Sequence, residues 1–216
     1  MTDTPAPPAT GSGSGSATGS GSGSATGSGS VLVLVDLQQW IVDRPVAPLP
    51  GEAVVRSAVR LKEAFAAAGR PVVLVRHARL DGSDGGPDSH FNRFAAGLEA
   101  GPGDGVVTKY AIDAFAGTDL AERLERLGAQ DVVVAGIATE WAVGETARTA
   151  RLLGYPVTVV EDACAALSAP AHAASLASLR ELSVRIVPVG AFGGDAVGGN
   201  AFGGGAVGGG ATDVDF

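Results

Sequence analysis

The stretch DVVVAGIATEWAVGETARTARLLG, residues 131–154, decides the fold because its hydrophobic period changes in the middle. It opens with a short run of β-branched residues, which is typical of a strand that is buried on both faces. From residue 140 to residue 153 the apolar positions recur at intervals of three and four, as on an amphipathic helix. Gly154 follows where a left-handed C-cap would fall. The stretch therefore predicts one strand–loop–helix unit of an α/β protein.

The same alternation continues on both sides of this stretch. Short β-branched runs predict six strands, at residues 31–35, 71–75, 105–108, 131–135, 156–160 and 184–189. Helical periodicity predicts four helices, at residues 52–68, 119–127, 140–153 and 171–182. A series of such units builds an open, mostly parallel sheet with helices on both faces. We therefore expect a three-layer αβα domain of the Rossmann-like class.

Composition divides the chain of 216 residues into three parts. Residues 9–30 repeat Ala-Thr-Gly-Ser-Gly-Ser-Gly-Ser, and residues 191–210 repeat Ala-Phe/Val-Gly-Gly-X. Both repeats have little side chain to bury and much backbone entropy to lose. We expect a disordered Gly/Ser-rich tail over residues 1–30, one domain over residues 31–190 and a Gly-rich tail over residues 191–216. Within the second tail, Phe192 and Phe202 are the side chains able to dock on the domain.

The charge of the chain points to a small-molecule substrate. A net charge of −8 and a pI of about 4.8 disfavour nucleic acid and anionic membranes as partners. Neither a membrane span nor a signal peptide is recognisable, which predicts a cytoplasmic protein. The single cysteine, Cys164, and the three scattered histidines predict no disulfide, no metal site and no cofactor.

Three polar features follow predicted strands at their carboxyl ends, namely Asp36, Lys109 and the loop of residues 136–142. In a sheet of this kind the ligand site lies at that edge, near the switch in strand order. Burying an ammonium group at the rim of the sheet costs free energy unless a carboxylate pairs with it. Asp36 is the natural partner of Lys109. The pair fits a hydrolytic site. It also fits a structural ion pair that fixes the register of the strands.

Residue 142 stands where a nucleophile would be activated. We predict Thr139 as the N-cap of the helix that follows, which places residue 142 in the first turn, near the positive end of the helix dipole. Such a position suits an oxyanion and lowers the pKa of a cysteine. The residue is Ala142, whose methyl group neither attacks nor titrates.

Three segments resemble the isochorismatase-like cysteine hydrolase superfamily, which includes nicotinamidases, N-carbamoylsarcosine amidohydrolases and isochorismatases. They are VLVDLQ at residues 33–38, VVTKYAIDAFAGTDL at residues 106–120, and VAGIATEWAVGETARTA at residues 134–150, followed by EDACAA at residues 161–166. Their order and spacing are specific, and the resemblance covers about residues 31–189.

The resemblance implies roles for the residues at the strand ends. Asp36 would be the general acid or base and Lys109 its electrostatic partner, whereas residue 142 would be the cysteine that forms a thioester with an amide-type carbonyl. The family also places a cis peptide before the residue matching Ala138. The backbone N–H groups of Ala138 and residue 142 would then form an oxyanion hole.

The chain also departs from the family pattern. Ala142 replaces the cysteine, and Cys164 follows another strand, where we expect it to pack as a small apolar residue. Metal-binding members carry Asp-x-His after the second strand, whereas this chain reads His77-Ala-Arg, so no metal is expected.

The expected substrate-binding residues are Trp40, Trp141, Gln38 and His77, with the two indoles as an aromatic wall. For Trp40, packing of a helix on the sheet is an equal alternative.

Three functions remain open on this basis. The first is a scaffold for hydrolysis of amide-type C–N bonds that lacks its nucleophile and is inactive or traps substrate. The second is a nucleophile-independent hydrolase of the isochorismatase type, which cleaves a vinyl ether with Asp36 as the acid. The third is a non-catalytic ligand-binding or scaffolding protein. The resemblance also implies a homodimer or homotetramer.

Overall fold

One parallel sheet organises the computed structural model, which describes Met1 and residues 29–192. Its strands are β1 Ser30–Val35, β2 Val72–His77, β3 Gly105–Lys109, β4 Asp131–Ile137, β5 Val157–Ala165 and β6 Arg185–Val187. They lie in the order β3-β2-β1-β4-β5-β6, and all five pairings are parallel. The predicted six-stranded α/β sheet is confirmed, and it is parallel throughout rather than mostly parallel.

Helices lie between these strands. They are α1 Gln39–Val42, α2 Gly51–Ala67, α3 Leu120–Arg126, α4 Gly144–Leu152 and α5 Ala169–Glu181, with a π-helical turn at Thr139–Val143 and 3₁₀ turns at His90–Asn92 and Val189–Phe192. The connection from β1 to β2 and the connection from β4 to β5 run in opposite directions across the sheet. Because such connections are right-handed, α2 and α4 lie on opposite faces.

The central strands explain why their sequence is continuously apolar. Every residue of β1 is inaccessible to solvent, and β1 pairs with β2 on one side and with β4 on the other. The strand order reverses between β1 and β4, where Val35 stands opposite Gly136. A crevice therefore opens at the carboxyl ends of these two strands.

Two helix starts differ from the predictions. The prediction of Thr139 as an N-cap is wrong, because Thr139 is the first residue of the π-helical turn and its hydroxyl bonds Ala165 O instead of a backbone N–H of the helix. The helix at α5 begins earlier than predicted. Ser168 caps it by accepting a hydrogen bond from Ala171 N at 3.2 Å, and a proline follows in the first turn.

Two strand ends differ as well. The fifth strand runs to Ala165, five residues beyond the predicted end, and its register against β4 shifts between Val134 and Gly136. The sixth strand ends at Val187, because Pro188 has no N–H to continue the ladder. A 3₁₀ turn then places the ring of Phe192 5.8 Å from that of Phe65. The two repetitive tails, including Phe202, otherwise lie outside the described residues.

Candidate active site

An ion pair joins two strand ends at the crevice. Asp36 directly follows β1, Lys109 is the last residue of β3, and the Lys109 Nζ lies 2.8 Å from the Asp36 Oδ2. The long lysine side chain thus spans the width of the intervening strand β2. Its ammonium group also donates a hydrogen bond to Ala111 O at 3.0 Å. Both side chains are almost fully buried, with relative exposures of 2% for the lysine and 7% for the aspartate.

The Asp36 carboxyl group has an altered acidity. Burial raises its pKa from 3.8 to about 6, against the opposing attraction and hydrogen bond of Lys109. Its other oxygen, Oδ1, is buried and has no hydrogen-bond partner among the described residues. Asp36 also has a φ of 56°, in the left-handed region. A carboxyl group with a pKa near 6 and an unengaged oxygen is able to exchange a proton with a bound molecule at neutral pH.

The loop after β4 reaches the same place. The Ile137–Ala138 peptide bond is cis, as the family resemblance implies. Ala138 O accepts hydrogen bonds from Trp141 N and Val143 N, whereas none of the described hydrogen bonds uses Ala138 N. Ala142 follows within the π-helical turn and is 5% exposed.

The buried His172, on α5, contacts the first residue of the turn after β4. The Thr139 hydroxyl donates a hydrogen bond to Ala165 O at 3.0 Å and lies 2.9 Å from His172 Nδ1. A hydroxyl that gives its single proton to Ala165 O accepts from a histidine protonated at Nδ1. The link ties the turn after β4 to the end of β5 and to α5. Burial holds the pKa of His172 below its usual value.

A cavity of about 330 Å³ connects these features. Most of its wall is apolar, and its lining consists of Asp36, Trp40, Ile41, Arg44, Val46, His77, Lys109, Ile112, Ile137, Ala138, Trp141, Ala142 and Leu167. This volume lies at the lower end of the range for small-molecule pockets. Burial and the charge of Lys109 lower the pKa of His77, so this imidazole is neutral at neutral pH.

Seven of the eight residues predicted for the site line this cavity, namely Asp36, Lys109, Ala138, Ala142, Trp40, Trp141 and His77. The eighth, Gln38, lies beside it and is fully buried. Its amide bonds the backbone N and O of His77 at 2.7 and 2.9 Å and donates to Asn92 Oδ1 at 2.9 Å. Trp40 lines the cavity and also packs against the core.

The sequence analysis did not predict several lining residues, including Arg44, Ile112 and Leu167. Arg44 stands four residues after Trp40 but follows the end of α1, so no helical period indicates it. The other two lie in loops whose conformation no local pattern predicts.

The described lining contains no cysteine, serine or threonine. Cys164 lies within β5 opposite Gly136, is fully buried, and has its pKa raised by burial to about 12. Its thiol is therefore inert at neutral pH. Among the described residues, no group of three or more His, Cys, Asp or Glu side chains is arranged to hold a metal ion. None of the described helices is long and apolar enough to cross a membrane.

Comparison with known proteins places this geometry in a family. The model of the isochorismatase domain matches residues 30–189. The chain belongs to the isochorismatase family.

Relatives of this isochorismatase domain agree in sequence and in fold. An uncharacterized isochorismatase family protein of Escherichia coli is 36% identical in an alignment of 155 positions that covers 65% of this chain and 82% of that protein. The structure of an isochorismatase family protein from Burkholderia thailandensis superposes with a TM-score of 0.70 at 34% identity, covering 77% of this chain and 94% of that chain. An N-carbamoylsarcosine amidase from Thermoplasma acidophilum gives a TM-score of 0.64 at 26% identity, covering 79% and 99%. The protein therefore has the scaffold of the isochorismatase-family hydrolases.

Proposed function

We propose that this isochorismatase domain binds a small amide-type substrate in the cavity but forms no thioester with it, so that as it stands it traps substrate rather than turning it over. One observation supports the proposal: Asp36, Lys109 and Ala142 line the same cavity, so a methyl group lies at the position where the family resemblance implies a nucleophile. Removal of a covalent nucleophile lowers the rate by orders of magnitude and leaves binding groups in place.

The assignment of an amide-type substrate rests on the site and on one relative. The backbone N–H groups of Ala138 and Ala142 are proposed to receive the carbonyl oxygen, with Asp36 as the proton-transfer group and Lys109 as the charge that holds it. The N–H of Ala138, which no described hydrogen bond uses, supports this role. The likeness to an N-carbamoylsarcosine amidase supports C–N chemistry.

Trp40, Trp141 and His77 are the proposed substrate contacts, because all three line the cavity. Gln38 is proposed to act indirectly, by fixing the backbone of His77.

A second function is favoured by the acidity of Asp36. With a pKa of about 6, the Asp36 carboxyl holds its proton in weakly acidic solution and is able to deliver it to a substrate. Acid-catalysed hydrolysis of a vinyl ether requires that proton and one water molecule, which adds to the protonated substrate, but no covalent nucleophile. Ala142 is compatible with this reaction.

A homodimer or homotetramer is also proposed, because apolar side chains remain exposed beside the cavity. Ile112, Trp141 and Leu167 line it and are 57%, 48% and 49% exposed. A second copy of the chain would cover them. Sedimentation velocity measures the state directly, and a monomer at concentrations of tens of micromolar would contradict this proposal.

The deciding experiment restores the nucleophile. We compare the parent protein with Ala142→Cys on simple amides, ureido compounds and isochorismate, with Ala142→Ser as a control of nearly equal size. Amide or ureido hydrolysis that appears only in the cysteine variant supports the first function. Isochorismate cleavage by the parent supports the second. Ligand binding without turnover by any of the variants would overturn both and leave a binding protein.

A further inference from the structure

The charges that line the cavity do not balance. Asp36 is its acidic residue among those described, and it is committed to Lys109 at 2.8 Å. Arg44 adds a second cation, while His77 is neutral at neutral pH. The cavity is therefore positive by one guanidinium group, although the chain as a whole has a net charge of −8.

Arg44 has no acidic partner among the described residues. The adjacent Asp43 accepts a hydrogen bond from Gln39 Nε2 at 2.7 Å instead. The described contact of the Arg44 side chain is with an aromatic ring, since its guanidinium carbon lies 5.7 Å from the centroid of Trp40. A guanidinium group that stacks on a ring keeps its N–H donors, which lie in its own plane, available to an acceptor.

The Trp40 ring beneath Arg44 packs on a second aromatic ring. Trp40 stacks on Phe91 with centroids 5.1 Å apart and an interplanar angle of 16°. Arg44 follows the short helix α1, and its backbone N donates to Ile41 O at 3.2 Å. The guanidinium group of Arg44, an exposed residue, therefore lies at the wall of the cavity, over a ring that packs on a second aromatic side chain.

We propose that Arg44 is a specificity-determining residue that binds a carboxylate of the substrate, so that the substrate class of this site is a small ring-bearing carboxylate. The ring would lie among Trp40, Trp141 and Ile112, with its carboxylate at Arg44 and its reactive group toward Asp36. This inference rests on the proposed function to the extent that both use the same cavity. A planar carboxylate matches the paired N–H donors of a guanidinium group.

Benzoate and benzamide test the inference, because they share a ring and differ in charge. The two tryptophans of the chain both line the cavity, so their fluorescence reports binding. We expect the parent protein to bind benzoate about tenfold more tightly than benzamide at low salt, as for a charge-assisted contact at a partly exposed site. The preference should shrink as salt is added, because ions screen the exposed guanidinium group.

Variants separate recognition from net charge. Arg44→Gln should remove the preference for benzoate and leave the benzamide affinity within about twofold, whereas Arg44→Lys should retain part of the preference because it keeps the charge without the planar fork. The matched control is Arg56→Gln, which removes one positive charge from an exposed position on α2 that does not line the cavity. It should bind both ligands like the parent, and thermal unfolding by circular dichroism checks that each variant folds.

Each outcome decides the inference independently of the proposed function. Equal affinities for the two ligands in the parent, a benzoate preference that survives Arg44→Gln, or no binding of either ligand would overturn it. These titrations use the protein with Ala142 in place and require no turnover. Failure of Ala142→Cys to hydrolyse any substrate would overturn the proposed function and leave the carboxylate preference of Arg44 intact.

Discussion

The Lys109 ammonium group lies 2.8 Å from the Asp36 carboxylate although β2 separates the strands that carry them. Both charges are removed from water, so their attraction must offset two desolvation penalties. Each charge is therefore stable in the interior only because the opposite charge lies beside it. This dependence makes the pair a sensitive point for both stability and chemistry.

Removal of one partner should destabilise the protein more than removal of both. We expect Lys109→Met to lower the free energy of unfolding by about 3 kcal/mol, because it leaves the Asp36 carboxyl buried without its cation. The double variant Asp36→Asn/Lys109→Met should recover part of this loss. Urea unfolding of the parent, both single variants and the double variant gives the coupling energy. A double variant less stable than Lys109→Met would contradict this account of the pair.

The raised pKa of Asp36 should make stability depend on pH in a definite direction. Between pH 3.8 and about 6 the folded protein holds a proton that the unfolded chain has released. The stability contributed by this group is therefore present below pH 3.8 and is lost as the pH rises through about 6, at up to about 1.4 kcal/mol per pH unit.

Asp36→Asn isolates this effect because it removes the titrating group. The unfolding free energy of the parent, relative to that of the variant, should fall as the pH is raised from 4 to 6. Urea unfolding at half-unit intervals measures the difference. A difference that grows with pH would mean that the folded pKa lies below 3.8 rather than above it.

Sequence patterns predicted the elements that are buried on both faces. β1 and β4 were recognisable because both faces of these strands lie within the core, which leaves a continuous apolar run. The second half of β5 was missed because Glu161 and Asp162 interrupt its run. Asp162 is accommodated there because its carboxylate accepts a hydrogen bond from Val189 N at 2.6 Å, a contact that forms only in the folded chain. Helix α1 has four residues, too few for a period to be recognised.

The charged pair of the candidate site was predictable because strands deliver both of its residues, whereas Arg44 lies in a loop. Asp36 and Lys109 follow from the rule that parallel strands point their carboxyl ends to one edge. Arg44 was missed because the conformation of its segment depends on a tertiary contact, the antiparallel bridge between Ala47 and Ala166. The sequence placed Gln38 beside Asp36, but it contained no signal that the amide turns toward the His77 backbone.

His172 should be neutral and protonated on Nδ1 at pH 7. The Thr139 hydroxyl gives its proton to Ala165 O, which leaves its oxygen to accept from the histidine. Nitrogen chemical shifts of the imidazole distinguish this tautomer from the Nε2-protonated form. Observation of the Nε2–H form would reverse the direction of the bond.

Thr139→Val should then destabilise the protein by about 1 to 3 kcal/mol, because Ala165 O and the His172 ring lose their buried partner. Thr139→Ser is the matched control, since it keeps the hydroxyl, and should lose less. Thermal and urea unfolding compare the variants. A larger loss in Thr139→Ser than in Thr139→Val would show that the methyl group, rather than the hydroxyl, anchors the turn.

Gly136 is where the sheet meets the candidate site, and it should tolerate no side chain. Its φ is 142°, and a Cβ at this position would collide with the backbone carbonyl of Val35, its partner on β1. Gly154 provides the matched control, because its φ of 93° is equally unfavourable for alanine but a Cβ there meets nothing within 4 Å. Gly154→Ala should therefore reveal the backbone penalty alone, about 1 to 2 kcal/mol.

In Gly136→Ala the new methyl group must also displace β1, which costs free energy beyond the backbone penalty. We therefore expect this variant to lower the free energy of unfolding by about 3 kcal/mol or more. Asp36 directly follows Val35, so a shift of this carbonyl also moves the carboxylate away from Lys109. Ligand affinity should consequently fall in the Gly136 variant even under conditions where it remains folded, and should stay unchanged in Gly154→Ala. Circular dichroism and fluorescence titration with benzamide measure the two effects separately. If Gly136→Ala were as stable as Gly154→Ala, the Val35 carbonyl would not obstruct a Cβ at residue 136, which would contradict this account.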